Sequence, residues 1–311
     1  MAGMHFGVTL PQIKRTWDET RSAVLAFEEY GYHSVWLNDH LYGVPMPQLP
    51  IFEAWTTLAA VGAITQRVKL GTLVSPVGFR NPALLAKMVA TLDQITGGRM
   101  ILGLGAGWFE MEFTGYGYPF PPLRERLEQL EEAVVLIKQL WTEPQVTFAG
   151  RHFRLEGAWC EPKPAQQPHP PILIGGGGER VLLRIAAQHA DIWNNLAVNQ
   201  NDLPRKTEKL WQHCAEVGRP RPAITVSQQC LVVIGADEND AQAKLRKAEQ
   251  IYGGHMGVSG PLTIAGTPEQ CIEKIATHRE HGCTMLVIEF FGRDTREPAK
   301  LFAERVMPAF A

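Results

Sequence analysis

Four consecutive glycines, Gly175-Gly176-Gly177-Gly178, follow the apolar run Ile172-Leu173-Ile174 and precede a helical stretch. Such a run lets backbone N–H groups approach an anion closely, and the dipole at the start of a helix adds to the attraction. A flexible turn is the alternative, but four glycines cost stability that a simple turn does not require. A phosphate is therefore the preferred ligand for this segment. Asp39-His40 follows a short β-branched run, and a histidine beside a carboxylate has the chemistry of a general acid or base near neutral pH. On position alone, a histidine that caps a loop is an equal reading. Gly105-Ala106-Gly107 would let something flat lie against a strand end, although small residues also ease packing. The stretch Gly71 to Pro76 ends in a proline, which cannot continue a ladder, so a bulge is expected there. The segment Trp108 to Pro122 is rich in aromatics, Gly and Pro and suits a lid or substrate wall. Within it, Glu110 and Glu112 are read as solvated surface carboxylates. Trp36 and Tyr42 are read as packing residues.

The elements that must position these residues alternate along the chain. Strands are expected at His5–Leu10, Ser34–Asn38, Val68–Val74, Met100–Ala106, Ile172–Gly175, Asp191–Asn194, Ile224–Ile234 and Thr284–Phe290. Helices are expected between them. Trp17–Tyr30 closes at Gly31, a second helix lies near Glu53–Thr65, and a third opens at Asn81-Pro82 and stops at Gly97-Gly98. Leu123, Leu127, Leu130, Val134, Ile137 and Trp141 form one stripe of a helix over Leu123–Trp141. Further helices run to His189, near Leu203–Val217, near Glu238–Ile251 (followed by a Gly-rich loop), from Thr267-Pro268, and at the end of the chain. A Pro-rich loop follows the second strand. Between Glu143 and Pro171 a second Pro-rich segment holds a small hairpin, Val146–Leu155.

Eight strands in strict alternation with helices predict an α/β fold: one (β/α)₈ TIM barrel with loop insertions, spanning residues 1–311 as a single domain. A doubly wound sheet would carry a Gly-rich turn after the first strand, where this chain has Pro11-Gln12. In such a barrel the active site lies at the C-terminal ends of the strands. That rule selects Gln12, Asn38-Asp39-His40, Val74-Ser75-Pro76, Gly105 to Trp108, Gly175 to Gly178, Asn194-Asn195 and Glu289.

Bulk composition narrows the partners. Of the 311 residues, 45% are hydrophobic and 20% charged, and the formal net charge is −2. That is an ordinary globular balance with no electrostatic case for nucleic acid or an anionic membrane. Five scattered cysteines without a Cys-x-x-Cys pair fit a reducing compartment and give no zinc or other metal site. No signal-like leader and no spanning apolar run are present, so a soluble, cytoplasmic protein is expected.

Taken in order, seven segments resemble the luciferase-like monooxygenase superfamily, and within it the coenzyme F420-dependent oxidoreductases. They are Ser-Val-Trp-Leu-Asn-Asp-His ending at His40, Lys-Leu-Gly-Thr-Leu-Val-Ser-Pro ending at Pro76, Arg-Asn-Pro-Ala-Leu-Leu-Ala-Lys ending at Lys87, and Leu-Asp-Gln-Ile-Thr-Gly-Gly-Arg ending at Arg99. Leu-Gly-Leu-Gly-Ala-Gly-Trp, Trp-Cys-Glu-Pro-Lys-Pro and Pro-Ile-Leu-Ile-Gly-Gly-Gly-Gly, ending at Trp108, Pro164 and Gly178, complete the set. The ordered set is specific for the superfamily and less so for the deazaflavin branch.

The resemblance implies that Asp39 and His40 sit beside the redox-active ring, with His40 as proton donor or acceptor. It implies a non-prolyl cis peptide at Leu73-Val74 behind the ring. Gly105, Ala106 and Gly107 would border the cofactor, and Gly175, Gly176, Gly177 and Gly178 would hold its phosphate. It further implies a homodimer acting on a small-molecule substrate. The related sugar-phosphate dehydrogenases carry a glutamate where this chain has Trp108, which points to a more apolar, aromatic or enone-like substrate. Two rivals stand beside the F420-dependent reading: an FMN-dependent monooxygenase that uses oxygen, and a non-catalytic flavin-binding barrel.

Overall fold

Helix boundaries follow the capping residues. Thr16 and Glu19 form a reciprocal capping box at the start of α1 (Trp17–Glu29). Glu53 caps α2 (Ala54–Ile64). Asn81 accepts from the Ala83 N–H, Pro82 takes the first position of α3 (Pro82–Thr96), and Gly97 ends it at φ 66°. The computed structural model describes residues 3–44, 46–253 and 255–311. Pro45 and Gly254, in the Pro-rich and Gly-rich loops, lie outside the described residues. The remaining helices are α4 (Glu110–Gly115), α5 (Leu123–Thr142), α6 (Leu182–His189), α7 (Leu203–Glu216), α8 (Glu238–Tyr252), α9 (Pro268–Glu280) and α10 (Arg296–Arg305).

Among the described residues the strands are β1 (His5–Thr9), β2 (Ser34–Leu37), β3 (Lys69–Thr72), β4 (Ser75–Pro76), β5 (Met100–Gly105), β6 (Val146–Ala149), β7 (Arg154–Ala158), β8 (Ile172–Gly175), β9 (Ile192–Asn195), β10 (Thr225–Ile234), β11 (Ile264–Gly266) and β12 (Met285–Phe290). Eight of them close a parallel barrel in the order β1-β2-β3-β5-β8-β9-β10-β12, and β12 returns to β1 with Phe6 opposite Leu286. These eight are the strands expected from sequence. The expected hairpin is the antiparallel β6–β7 pair. Two small strands were not expected: β11 flanks β10, and β4 pairs with β5 after a break at Leu73-Val74. The peptide between those two residues is cis.

Alternation along each strand divides the side chains between two cores. Trp36, Leu73, Ile101, Leu173, Ile192, Met285 and Val287 fill the barrel interior. The opposite faces, among them Val8, Val35, Leu102, Ile174, Val226 and Ile288, pack under the helices. Trp36 is fully buried, and its indole lies where Gly7 would carry a side chain: an ideal Cβ there would be 2.5 Å from Nε1. It is a packing residue, as its sequence position suggests. Above this layer the strands end, and the loops there carry the candidate residues.

Candidate active site at the barrel mouth

Asp39 and His40 are adjacent in the chain, but their side chains have different partners. Asp39 is 1% exposed. Its Oδ2 accepts from Ser75 Oγ at 2.5 Å, Trp55 Nε1 at 3.1 Å and Arg80 Nη1 at 2.6 Å, while Oδ1 accepts from Arg80 Nη2 at 3.2 Å. Arg80 also reaches Glu53 at 2.6 Å. Burial pushes the Asp39 carboxyl above its usual range, against the opposing pull of Arg80 and the Ser75 hydroxyl. This carboxylate ties the end of β2 to β4, α2 and the start of α3.

His40 meets a different carboxylate. Its Nδ1 lies 2.8 Å from Glu112 Oε1, and Glu112 Oε2 accepts from the Leu41 N–H at 2.9 Å and the Tyr42 N–H at 3.4 Å. Glu112 is 1% exposed, so the expectation of a solvated side chain is wrong for this residue. The segment after β5 coils into α4 and turns Glu112 inward, whereas Glu110 is exposed as expected. Trp108 and Phe109 stand edge-on to the His40 ring at 5.9 and 6.5 Å, and stack on each other at 5.3 Å. Trp108 is 65% exposed, a large apolar face open beside the imidazole. Tyr42 packs on Tyr116, consistent with a structural role.

Within the cis bulge, Val74 lies against the glycines of β5 and β8. An ideal Cβ on Gly105 would be 2.6 Å from Val74 Cγ2, and one on Gly175 would be 2.8 Å from Val74 Cγ1. Both glycines therefore make room for Val74. Ala106 is buried, and Gly107 adopts φ 78° against Phe113. Arg126 donates to the Gly107 carbonyl and, at 3.0 Å, to the Pro121 carbonyl, and lies 3.8 Å above the Phe120 ring, anchoring the start of the aromatic segment.

The glycine run divides the same way. The Gly176 N–H is spent on the Asn194 carbonyl at 3.2 Å, and Gly176 has φ 141°. The N–H groups of Gly177 and Gly178 have no acceptor among the described residues. Lys206, buried beneath them, donates to the Gly177 carbonyl at 2.6 Å and lies 3.4 Å from Glu179. A Cβ on Gly177 would collide with Asn199, whereas one on Gly178 would meet only Leu182 at 3.6 Å. Two free N–H groups over a buried ammonium suit an anion. On the neighbouring strand Asn194 lies on the interior face, its Oδ1 takes the Ser227 hydroxyl at 3.0 Å, and its buried Nδ2 has no partner among the described residues. Such an orphaned donor fits a mouth built to hold a polar ring system. Glu289, also on the interior face, has Tyr252 as donor at 3.3 Å. Among the described residues no group of three His, Cys, Asp or Glu side chains is placed to hold a metal.

The luciferase-like monooxygenase family model matches residues 4–260. The chain belongs to that family. A curated relative, the F420-dependent glucose-6-phosphate dehydrogenase of Nakamurella multipartita, is 30% identical to this luciferase-like chain over 93% of it and 91% of the relative. Among solved structures, an F420-dependent secondary alcohol dehydrogenase in complex with an F420-acetone adduct superposes with a TM-score of 0.83 over all of both chains, at 22% identity. The oxygenating constituent of 3,6-diketocamphane monooxygenase from Pseudomonas putida, in complex with FMN, gives 0.79 over 99% of each at 18% identity. At those identities the two structures speak to the fold alone.

Proposed function

We propose that this luciferase-like chain is a coenzyme F420-dependent oxidoreductase that passes a hydride between the deazaflavin and a small, apolar organic substrate. The cofactor assignment rests on one observation, the whole-length likeness to a relative named F420-dependent at 30% identity. The residues present fit the group. Gly177 and Gly178 offer their free N–H groups to its phosphate, Lys206 adds positive charge beneath them, and Asn194 offers a buried donor. Leu73 and Val74 form the wall behind the ring, with Gly105, Ala106 and Gly107 along its border and Gly175 and Gly176 shaping the loop.

The bound deazaflavin supplies two-electron hydride chemistry. His40 carries the coupled proton at Nε2, the nitrogen left over by the contact of Nδ1 with Glu112. Asp39 acts beside it as an anchor, holding the strand end that presents His40. Trp108 and Phe109 seat the substrate: an exposed indole stacked on a phenyl ring favours a flat apolar molecule over a sugar phosphate. Residues 1–311 act as one catalytic domain with insertions after the fourth barrel strand. Five free, buried cysteines support a reducing, cytoplasmic setting, and a homodimer is the assembly we expect. Purification from a host that makes F420, followed by absorption spectroscopy and mass measurement of the co-purifying small molecule, tests the assignment. F420 is the expected mass, and FMN in its place would move the protein to oxygen-dependent chemistry.

A further inference from the structure

We propose that Glu112 is a positioning residue that sets the tautomer of His40, and this rests on the reading of His40 as the proton carrier. A carboxylate can only accept hydrogen bonds. Oε2 of Glu112 is held by the N–H groups of Leu41 and Tyr42, so Oε1 is the atom left for the imidazole. Nδ1 must then carry a proton, and the lone pair of the neutral ring falls on Nε2. Leu41 and Tyr42 directly follow His40, so one buried carboxylate fixes both the ring and the backbone that carries it. Trp108 and Phe109, stacked on each other, stand edge-on to the ring. In this arrangement the neutral ring accepts a proton at Nε2, and the protonated ring returns it from the same atom while Glu112 faces the positive charge.

Glutamine at position 112 has the same shape and the opposite consequence. The Leu41 and Tyr42 N–H groups hold its carbonyl oxygen, which turns the amide NH₂ toward Nδ1. Nδ1 must now accept, and the proton moves to Nε2, where it blocks uptake of another. A wrong tautomer imposed in this way costs the histidine–carboxylate pair of an unrelated enzyme, a serine protease, about 10⁴-fold in rate.

Nitrogen-15 NMR of the histidines, with His40→Ala used to assign the His40 signals, reads the tautomer in protein without cofactor. The wild type is expected to show Nδ1–H with Nε2 unprotonated, and Glu112→Gln to show the reverse at an unchanged melting temperature. An Nε2–H tautomer in the wild type overturns the proposal even if the variant fails to fold. An unchanged Nδ1–H tautomer in folded Glu112→Gln overturns it as well. Because the readout needs no turnover, its failure is separate from failure of His40 as proton carrier, which the rate of His40→Ala reports.

Discussion

The side chain of Val74 fills the space that a β-carbon on Gly175 would need, with Cγ1 2.8 Å from the ideal Cβ position. The glycine that opens the proposed phosphate loop thus also serves the bulge behind the proposed ring site. Gly175→Ala should overpack this contact and cost about 1–3 kcal/mol. Val74→Ala should restore much of that loss, because the added methyl then enters the space vacated. Urea unfolding of both single variants and the double variant gives the coupling, expected at about 0.5–3 kcal/mol. Additive losses would mean that the two residues do not share this space.

The proposed phosphate loop is best probed at Gly178. A substitution at Gly176 would strain a backbone at φ 141° and push into Leu182, 2.6 Å from the ideal Cβ, so lost binding there would be ambiguous. Gly178 has room and no such φ. Gly178→Asp should weaken F420 binding at least about tenfold, or about 1.4 kcal/mol, by setting a carboxylate against the phosphate. Gly178→Ala should bind nearly as the wild type does. Fluorescence titration checks both, and wild-type affinity in the aspartate variant would place the phosphate elsewhere.

His40→Ala should slow single-turnover hydride transfer by about 10²–10⁴-fold in cofactor-saturated enzyme. Its F420 affinity should change little, because the glycine loop belongs to a different part of the mouth. Stopped-flow absorbance with any substrate the wild type turns over gives the rate. A near-normal rate would leave His40 as a packing residue.

Much of this was legible in the sequence. Alternating apolar periods and capping residues such as Asn81 and Thr267 mark the elements, and the barrel rule then selects the strand ends. What was not legible depends on long-range contacts. Glu112 reads as a loop carboxylate because nothing local signals that α4 will turn it toward a histidine 72 positions earlier. Asp39 reads as a partner of its neighbour, yet its counter-charge is Arg80, 41 positions away. Gly105 and Gly175 read as cofactor glycines, and only the fold reveals Val74 between them.

Stability should fall in mild acid. Burial, with Lys138 and Arg219 nearby, holds His189 down to about 4, and burial beside His5 and Lys69 does the same for His33. Between about pH 6.5 and 4 the unfolded chain therefore binds more protons than the folded one, so stability rises with pH through this window. The contribution is complete above the upper limit and is lost as pH falls toward the lower one. His189→Gln should lose less stability than the wild type between pH 7 and pH 5 in urea unfolding. Equal losses would mean that His189 is not held neutral.

The mouth of this barrel is proposed to serve a deazaflavin and hydride chemistry. Side-by-side fluorescence titration with F420 and FMN, followed by oxygen-electrode traces of each reduced complex, tests it most directly. F420 should bind more tightly, and its reduced complex should consume no appreciable oxygen. A clear preference for FMN, with oxygen uptake on reduction, would contradict it.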